Sequence, residues 1–156
     1  MQQQARLSRM GKRLAKIKVL VGRDKRCRSL ILTGAKPQGT WGHQSCGMAP
    51  AVVQQLRQDF SQAALARKPG GCTTTTWHLI FGEDSDPYIR MRVELLQSWM
   101  DALHGTDIDM QVIRRVWLKK YVLLRRVAGR WNRVSGIIGA VVATLLDLRW
   151  KPATPQ

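Results

Sequence analysis

Apolar positions along this chain recur at intervals of three and four residues, the spacing that places side chains on one face of an α-helix. In the first segment, basic side chains follow the same rhythm on another face, which predicts a basic amphipathic helix within residues 1–28. The apolar side chains of this first helix are Leu7, Met10, Leu14, Ile17 and Val21. Its basic face is formed by Arg6, Arg9, Arg13 and Lys16.

The next part of the chain is divided by proline and glycine. Residues 29–48 stay undecided: the short apolar run at 29–35 has no decisive period and is compatible with helix or strand, and the glycine-containing stretch from Pro37 to Pro50 indicates a structured loop or a broken helix. Pro50 suits the first turn of a second helix, which the Lys-Pro-Gly-Gly sequence at 68–71 ends. A third, short helix is predicted from the threonine run at 73–76 to Gly82.

The second half of the chain begins with a strong start signal for a helix. Asp86 precedes Pro87, and aspartate accepts hydrogen bonds from free N–H groups while proline fixes φ for the first turn. The helix that begins there ends at Gly105, and two more are predicted over 110–131 and 135–148. We therefore expect an all-α fold, an irregular bundle of five to seven helices.

Length, cysteine count and apolar runs limit the class of protein. A chain of 156 residues is the size of one domain, and we expect a basic helix over 1–28, a helical domain over 29–152 and a tail over 153–156. Its three cysteines favour a reducing compartment. The first 28 residues carry ten basic side chains and no apolar h-region of a secretory signal, and the longest apolar run, at 137–146, is too short to span a bilayer. These features predict an intracellular protein of the nucleus or cytoplasm, neither secreted nor membrane-spanning.

Charge is strongly positive and arranged in blocks. The chain has 26 lysines and arginines against 10 aspartates and glutamates, a net charge of +16. Residues 1–36 hold eleven basic and one acidic side chain, and residues 112–156 hold ten and one. Between them, residues 83–111 hold two basic and seven acidic side chains. Two basic ends therefore flank an acidic segment, and the ends are the expected contact surfaces for a polyanion.

Cations on one face of a helix can contact phosphates and release their counterions. The basic face of the helix at 110–131 is the first candidate for this role, and a patch on the first helix is the second. The alternatives are a solvated helix face and a membrane-surface helix, for which Trp117, Leu118 and Val122 beside the arginines are suited. The residues expected to contact phosphates are Arg114, Arg115, Lys119, Arg125, Arg126, Arg130, Lys12, Arg13 and Lys16.

Two weaker candidates for ligand contact also occur. Trp131 lies beside Arg130 and Arg133 and is able to stack on bases, whereas core burial is expected for the other five tryptophans. The threonine run at 73–76 offers hydroxyls to a phosphate at a helix N-terminus, although capping and methyl packing are the favoured role.

No set of residues predicts catalysis or a cofactor. The histidines and cysteines lack a Cys-x-x-Cys pair and the spacing of a common zinc finger, so a zinc site is disfavoured. The pairs Asp84-x-Asp86 and Asp107-x-Asp109 each precede a helix, where capping is expected rather than metal binding. The nucleophile elbow and the phosphate-binding glycine loop are both absent from the sequence. We expect no enzyme activity from these residues alone. The four histidines and cysteines considered for zinc are His43, Cys46, Cys72 and His78.

Several short motifs follow one another in a set order along the second to last segments of the chain. They are Pro37-Gln-Gly-Thr-Trp41-Gly42-His43, Cys46-Gly47-Met-Ala-Pro50, Gly70-Gly71-Cys72-Thr73-Thr74-Thr75, Phe81-Gly82, Asp86-Pro87, a helix carrying Trp99, Ser135-Gly136-Ile-Ile-Gly-Ala140 and Leu145-Leu146-Asp-Leu148-Arg-Trp150-Lys-Pro152. This order resembles the region after the polymerase palm in non-LTR (LINE-type) retrotransposon polyproteins. The resemblance covers about residues 28–152 and depends on order and spacing rather than on one diagnostic motif.

This resemblance implies a thumb or connector segment that grips a template–primer duplex. The palm, with its Asp-Asp hairpin and earlier metal-binding aspartate, is absent from these residues. We therefore expect a non-catalytic, sequence-independent nucleic-acid-binding fragment whose partners are RNA or an RNA–DNA duplex and the missing polymerase palm. The alternative is a basic helical adaptor for acidic proteins or an anionic membrane surface, of which the membrane is the less favoured partner.

Overall fold

The helical periodicity of the sequence appears directly in the structure, a computed structural model that describes residues 2–65, 72–105, 108–152 and 154–155. These residues form helices and helical turns and no β-strand, so the predicted all-α class is confirmed. Six of the α-helices have nine or more residues, within the predicted number of five to seven. The α-helices are α1 Gln2–Arg23, α2 Lys36–Thr40, α3 His43–Cys46, α4 Pro50–Leu65, α5 Thr73–Phe81, α6 Pro87–Gly105, α7 Met110–Arg125 and α8 Gly136–Asp147.

Three sequence predictions lie wholly or partly outside the described residues. They are the helix stop at 68–71, the use of Asp107 as a cap, and part of the tail at 153–156. The alternative cap, Asp109, is described: its side chain accepts a hydrogen bond of 2.8 Å from the N–H of Gln111 and so begins α7.

The chain divides into two compact units. Unit 1 comprises Met1–Trp41 and Pro50–Arg90, and unit 2 comprises Gly42–Ala49 and Met91–Gln156. The chain passes between the units after residues 41, 49 and 90, and none of these three points is the expected division at residue 28. Within unit 1, α1 packs against α4 and α2 and shares one core with them.

The core of unit 1 is formed by the apolar stripes of α1 and α4. Met10, Leu14, Ile17 and Val21 of α1 are buried as predicted, and Leu7 is half-buried. Burying a large apolar side chain contributes about 1.5–3 kcal/mol, so this stripe holds α1 against its neighbours.

The other side of this core comes from α4 and α5. The apolar stripe of α4 is buried along its whole length, and the ring centroid of Phe60 within it lies 5.8 Å from that of Trp77. Trp77 in turn lies 4.6 Å from Phe81, at tilted angles that suit aromatic pairs. The α4 stripe consists of Val53, Leu56, Phe60 and Ala64.

The segment at 29–48, which the sequence left open, is mostly helical. A π-helical turn over Ile31–Ala35 runs directly into α2, with Pro37 in the first turn of that helix. The chain leaves α2 at Trp41, and Gly42 then adopts a left-handed φ of 80° before α3. The apolar run at 29–35 therefore belongs to a helix with one widened turn, and not to a strand.

Unit 2 is built around α7, α8 and the part of α6 from Met91 onward. Trp99 and Trp117 stack with ring centroids 5.8 Å apart inside this core. Ala140 and Ala143 on α8 are fully buried, and their small side chains allow neighbouring helices to approach closely. The indole N–H of Trp117 donates a 2.8 Å hydrogen bond to the carbonyl of Pro152, which holds the chain after α8 against this core.

The predicted helix at 110–131 is wrong in its end point, because α7 ends at Arg125. Gly129 adopts a left-handed φ of 69° and precedes a separate 3₁₀ turn over Arg130–Arg133. A left-handed residue cannot continue an α-helix. Ala128, which lies within the predicted range, is consequently exposed and outside the helix.

Candidate nucleic-acid interface

The buried stripe of α1 leaves its cations on the outer side of unit 1. Arg9, Lys12, Arg13 and Lys16 are all exposed. None of the seven lysines and arginines of α1 forms an ion pair with another residue that the structure describes. The positive charge of this helix is therefore not neutralised by its neighbours in the described part of the chain.

A groove of about 420 Å³ runs beside this basic face. Arg6, Arg9 and Arg13 line it from α1, and the π-helical turn and α2 line it from the other side. Trp41 lies at the end of α2 and also lines the groove. Only Arg13 among these was in the predicted patch on the first helix.

Two of the groove arginines are anchored to the backbone. The Nη1 of Arg6 donates to the carbonyl of Trp41 at 3.1 Å, and the Nη1 of Arg13 donates to the carbonyl of Gly34 at 3.0 Å. Each guanidinium has five N–H donors, so further donors remain for a ligand. Lys12 and Lys16, the other predicted residues of this patch, are exposed on α1 but do not line the groove.

Trp41 is the residue of this surface that sequence analysis missed. Its side chain is 73% exposed, whereas core burial was expected for every tryptophan except Trp131. The signal available in the sequence was its place directly before Gly42, in a segment without an apolar stripe. An exposed indole beside arginines is a typical platform for stacking a base.

The second basic surface lies on α7 in unit 2. Arg114, Arg115 and Lys119 are exposed, and none of them forms an ion pair with a described residue. Arg125 is also exposed and lies over the ring of Tyr121, 5.6 Å from its centroid. The structure therefore brings four of the predicted phosphate-contacting residues together on one helix.

Arg126 and Arg130 lie beyond the end of α7. Arg126 is exposed at its C-terminal cap. Arg130 belongs to the following 3₁₀ turn, where its Nη1 is 3.5 Å from a carboxylate oxygen of Asp147. The expectation that Arg130 continues the basic face of the helix is therefore wrong, and an acidic neighbour partly neutralises its charge.

Trp131 is not a free stacking platform. Its indole N–H donates a 2.7 Å hydrogen bond to Asp147, and its half-buried ring packs against the core of unit 2. Trp117, considered for a membrane-surface helix, is 1% exposed and belongs to that core. Leu118 and Val122, by contrast, are exposed on α7 beside the cations.

The histidines and cysteines considered for zinc fall in different parts of the fold. His43 and Cys46 belong to α3, and His43 Nε2 lies 2.8 Å from a carboxylate oxygen of Glu94. Cys72 is the N-cap residue of α5, and His78 lies within that helix. Over the described ranges, no group of three or more histidine, cysteine or acidic side chains is arranged to hold a metal ion.

Cys72 precedes the threonine run at the start of α5. The backbone N–H and then the hydroxyl of Thr75 stabilise its thiolate, together with the backbone N–H of Thr74, and lower its pKa to about 7. Thr74 and Thr75 are exposed. The lowered pKa gives this exposed thiol more thiolate character at neutral pH than an ordinary cysteine has.

A buried ion pair in unit 1 was also missed by sequence analysis. Arg57 on α4 and Asp86 before α6 are both buried, and their Nη2 and Oδ2 atoms are paired. The other oxygen of Asp86 accepts a 2.9 Å hydrogen bond from the N–H of Tyr88 and caps α6, as the sequence predicted. His78 Nε2 lies 3.6 Å from Asp86. The ion pair links α4 to the start of α6, and His78 of α5 lies beside it.

Within the part of the chain that the structure describes, no helix has both the length and the apolar character needed to cross a bilayer. Comparison of the chain with protein-family models, curated proteins and solved structures finds no significant match.

Proposed function

We propose that this protein binds nucleic-acid backbones without sequence specificity and without catalysis. Contact is made through two basic surfaces, the α1 surface (Arg9, Lys12, Arg13 and Lys16) and the α7 surface (Arg114, Arg115 and Lys119). The observation that carries the proposal is the absence of ion pairs between the cations of α1 and α7 and other described residues. Exposed cations of this kind are available to phosphates.

We favour phosphate contact over a basic helix face that only contacts solvent, because the uncompensated positive charge is large. A net charge of +16 on 156 residues gives a strong positive field that attracts polyanions. Each phosphate contact releases a counterion, so the affinity gained depends steeply on salt.

The resemblance to the region after the palm of LINE-type reverse transcriptases supports a more specific form of the proposal. In this form the chain is a thumb or connector segment that grips the template–primer duplex, and a palm in the same polyprotein performs the polymerisation. Sequencing the transcript through this reading frame tests it. A continuous upstream palm with an Asp-Asp hairpin is expected, and a transcript without one would contradict the retrotransposon origin.

The binding proposal predicts that the affinity falls steeply with salt concentration and that removing cations of the α7 surface makes this fall shallower. Affinity for an RNA–DNA duplex is measured over a range of NaCl concentrations for the natural chain and for the triple variant Arg114→Gln, Arg115→Gln, Lys119→Gln. If each residue contacts one phosphate, the slope of log affinity against log salt becomes shallower by about 2–3. The matched control, which removes the same charge from exposed positions outside both surfaces, is Lys25→Gln, Arg26→Gln, Arg133→Gln.

The control variant decides whether the surface or the net charge matters. A smaller change of slope in the control than in the α7 variant supports a defined α7 surface. Equal changes would show that diffuse charge attracts the duplex and would contradict that assignment. A flat salt response of the natural chain would reject nucleic-acid binding altogether.

A basic adaptor for anionic membranes is the second candidate, because α7 also exposes apolar side chains. Leu118 and Val122 are 56% and 49% exposed beside the cations of the same helix, a combination found in membrane-surface helices. Co-sedimentation with phosphatidylserine vesicles separates the two functions. Vesicle binding that is lost in Leu118→Ser, Val122→Ser, with no binding of the duplex, would favour the adaptor.

A further inference from the structure

The groove beside α1 has a different composition from the α7 surface. Arg6, Arg9 and Arg13 line one side of it, and an exposed indole, Trp41, lines it as well. The α7 surface combines its cations with exposed aliphatic side chains instead. The volume of the groove beside α1, about 420 Å³, lies in the range of pockets that hold small ligands or one unit of a polymer.

Two of the three groove arginines are positioned before any ligand arrives. Arg6 and Arg13 are each fixed by a hydrogen bond to a backbone carbonyl. Arg9, between them on the helix, has no hydrogen-bond or ion-pair partner among the described residues. A guanidinium that is already held in place loses less side-chain entropy when it binds a phosphate. The groove is therefore suited to a series of phosphates that follows α1.

Trp41 offers an exposed aromatic ring, which suits the flat face of a base rather than a phosphate. Its ring is 73% exposed although a large aromatic side chain gains free energy by burial. Bases have flat faces that stack on an indole regardless of their identity. In a duplex these faces are covered by neighbouring base pairs, so only an unpaired base can reach the indole without unstacking.

We propose that the α1 groove binds single-stranded nucleic acid, with one base stacked on Trp41 and the adjoining phosphates on Arg6, Arg9 and Arg13. This inference rests on the proposed function and adds to it a preference for unpaired strands at one of the two surfaces. Stacking on Trp41 is tolerant of sequence, in keeping with binding that depends on the backbone.

The test compares single-stranded and duplex binding in variants of Trp41. Affinity is measured for an oligothymidylate of about 12 nucleotides, a length within the usual site sizes, and for a duplex of equal length. Trp41→Ala is expected to weaken binding of the oligothymidylate by about 5- to 150-fold, the range of one base–aromatic stack. Its affinity for the duplex is expected to stay within about twofold, because charge alone determines it. Trp41→Phe, which still stacks, restores most of the loss.

Two controls separate stacking from other effects. Trp150 is also exposed, at 64%, and lies in unit 2, so Trp150→Ala is expected to change neither affinity. The hydrogen bond from Arg6 goes to the backbone carbonyl of Trp41 and is kept in both Trp41 variants. An abasic strand of the same length offers phosphates without bases, and its affinity is expected to be the same for the natural chain and for Trp41→Ala.

A charge variant tests the arginine side of the groove. Arg9→Gln is expected to reduce the salt slope for the oligothymidylate by about 0.7, the value for one contact to a single strand. Lys18→Gln is the matched control, because nine residues are about two and a half helical turns and place Lys18 on the opposite side of α1. Equal effects of the two variants would overturn the placement of phosphates in the groove.

The outcomes distinguish this inference from the proposed function. If both oligonucleotides bind with a steep salt dependence and Trp41→Ala weakens neither, the inference is overturned and the proposed function stands. If neither binds, the proposed function fails. Tighter binding of an oligoglutamate of equal charge than of the oligothymidylate would also overturn the inference and favour an acidic protein partner.

Discussion

Gly47 shows how one residue without a side chain permits the packing of unit 2. It adopts a left-handed φ of 65°, and a Cβ there would lie 2.8 Å from the Cβ of Ala140 and 2.8 Å from Cζ3 of Trp131. Any other residue is therefore strained by its backbone and by two neighbours at once. We expect Gly47→Ala to lower the free energy of unfolding by about 1–3 kcal/mol, measured by urea denaturation.

Gly11 is the matched control for Gly47. It lies inside α1, and no atom stands within 4 Å of its virtual Cβ apart from its own neighbours and helix backbone. Gly11→Ala is expected to raise the free energy of unfolding by about 0.5–1 kcal/mol, because alanine loses less backbone entropy in a helix. A stable Gly47→Ala variant would show that Trp131 and Ala140 can move away from this turn.

The tryptophans show what sequence can and cannot predict for single residues. Trp99 and Trp117 lie on the apolar stripes of their helices, and both are buried as the stripe pattern indicates. Trp41 and Trp150 lie outside any stripe and are exposed. Residue type alone predicts that a tryptophan is buried. Whether a particular tryptophan is buried or exposed depends on its position relative to the apolar stripe and the end of its helix.

At the scale of a helix, Asp86 and Asp109 give the same sequence signal, an N-cap aspartate, but their contributions to the free energy of unfolding are expected to differ. Each caps a helix through a hydrogen bond to the N–H two residues later. Asp109 is exposed, but Asp86 is buried and also pairs with Arg57. Asp86→Ala is expected to cost about 3–5 kcal/mol, because it leaves the buried guanidinium of Arg57 without its carboxylate. Asp109→Ala is expected to cost about 1 kcal/mol in the same urea assay.

A double variant tests the reason for this difference. Arg57→Met combined with Asp86→Ala removes both charges, and we expect it to recover much of the stability that Asp86→Ala loses. A cost for Asp86→Ala no larger than that for Asp109→Ala would mean that water reaches Arg57 and solvates it. Sequence alone could not separate the two aspartates, because the partner of Asp86 is on a different helix, 29 residues earlier.

The starts of helices were more predictable than their ends or their packing. Pro50 and the Asp86–Pro87 pair are local signals, and α4 and α6 begin where these signals indicate. The apolar spacing of α7 continues past its true end, so the sequence predicted a helix to residue 131. Gly129 was the signal that could have corrected this, since its left-handed φ separates α7 from the next turn.

The two units of the whole molecule are not visible in the sequence. Each is built from two separate stretches of chain, with Gly42–Ala49 packed among later residues and Pro50–Arg90 among earlier ones. Periodicity describes single helices and carries no information on which helices share a core. The net charge is known from composition alone, whereas the absence of ion pairs between the cations of α1 and α7 and other described residues needed the structure.

Unpaired cations at this density predict that salt stabilises the folded protein. Like charges repel over a screening length of about 30 Å at 10 mM salt but only about 8 Å at 150 mM. We therefore expect the melting temperature to rise by several degrees between these concentrations, with a smaller rise in the variant Lys25→Gln, Arg26→Gln, Arg133→Gln. RNA at low salt should raise it as well, because a ligand of the folded state stabilises that state. A melting temperature that falls with salt would show instead that attraction between the acidic segment at 83–111 and the basic ends dominates, and the basic surfaces would then not be free for a polyanion.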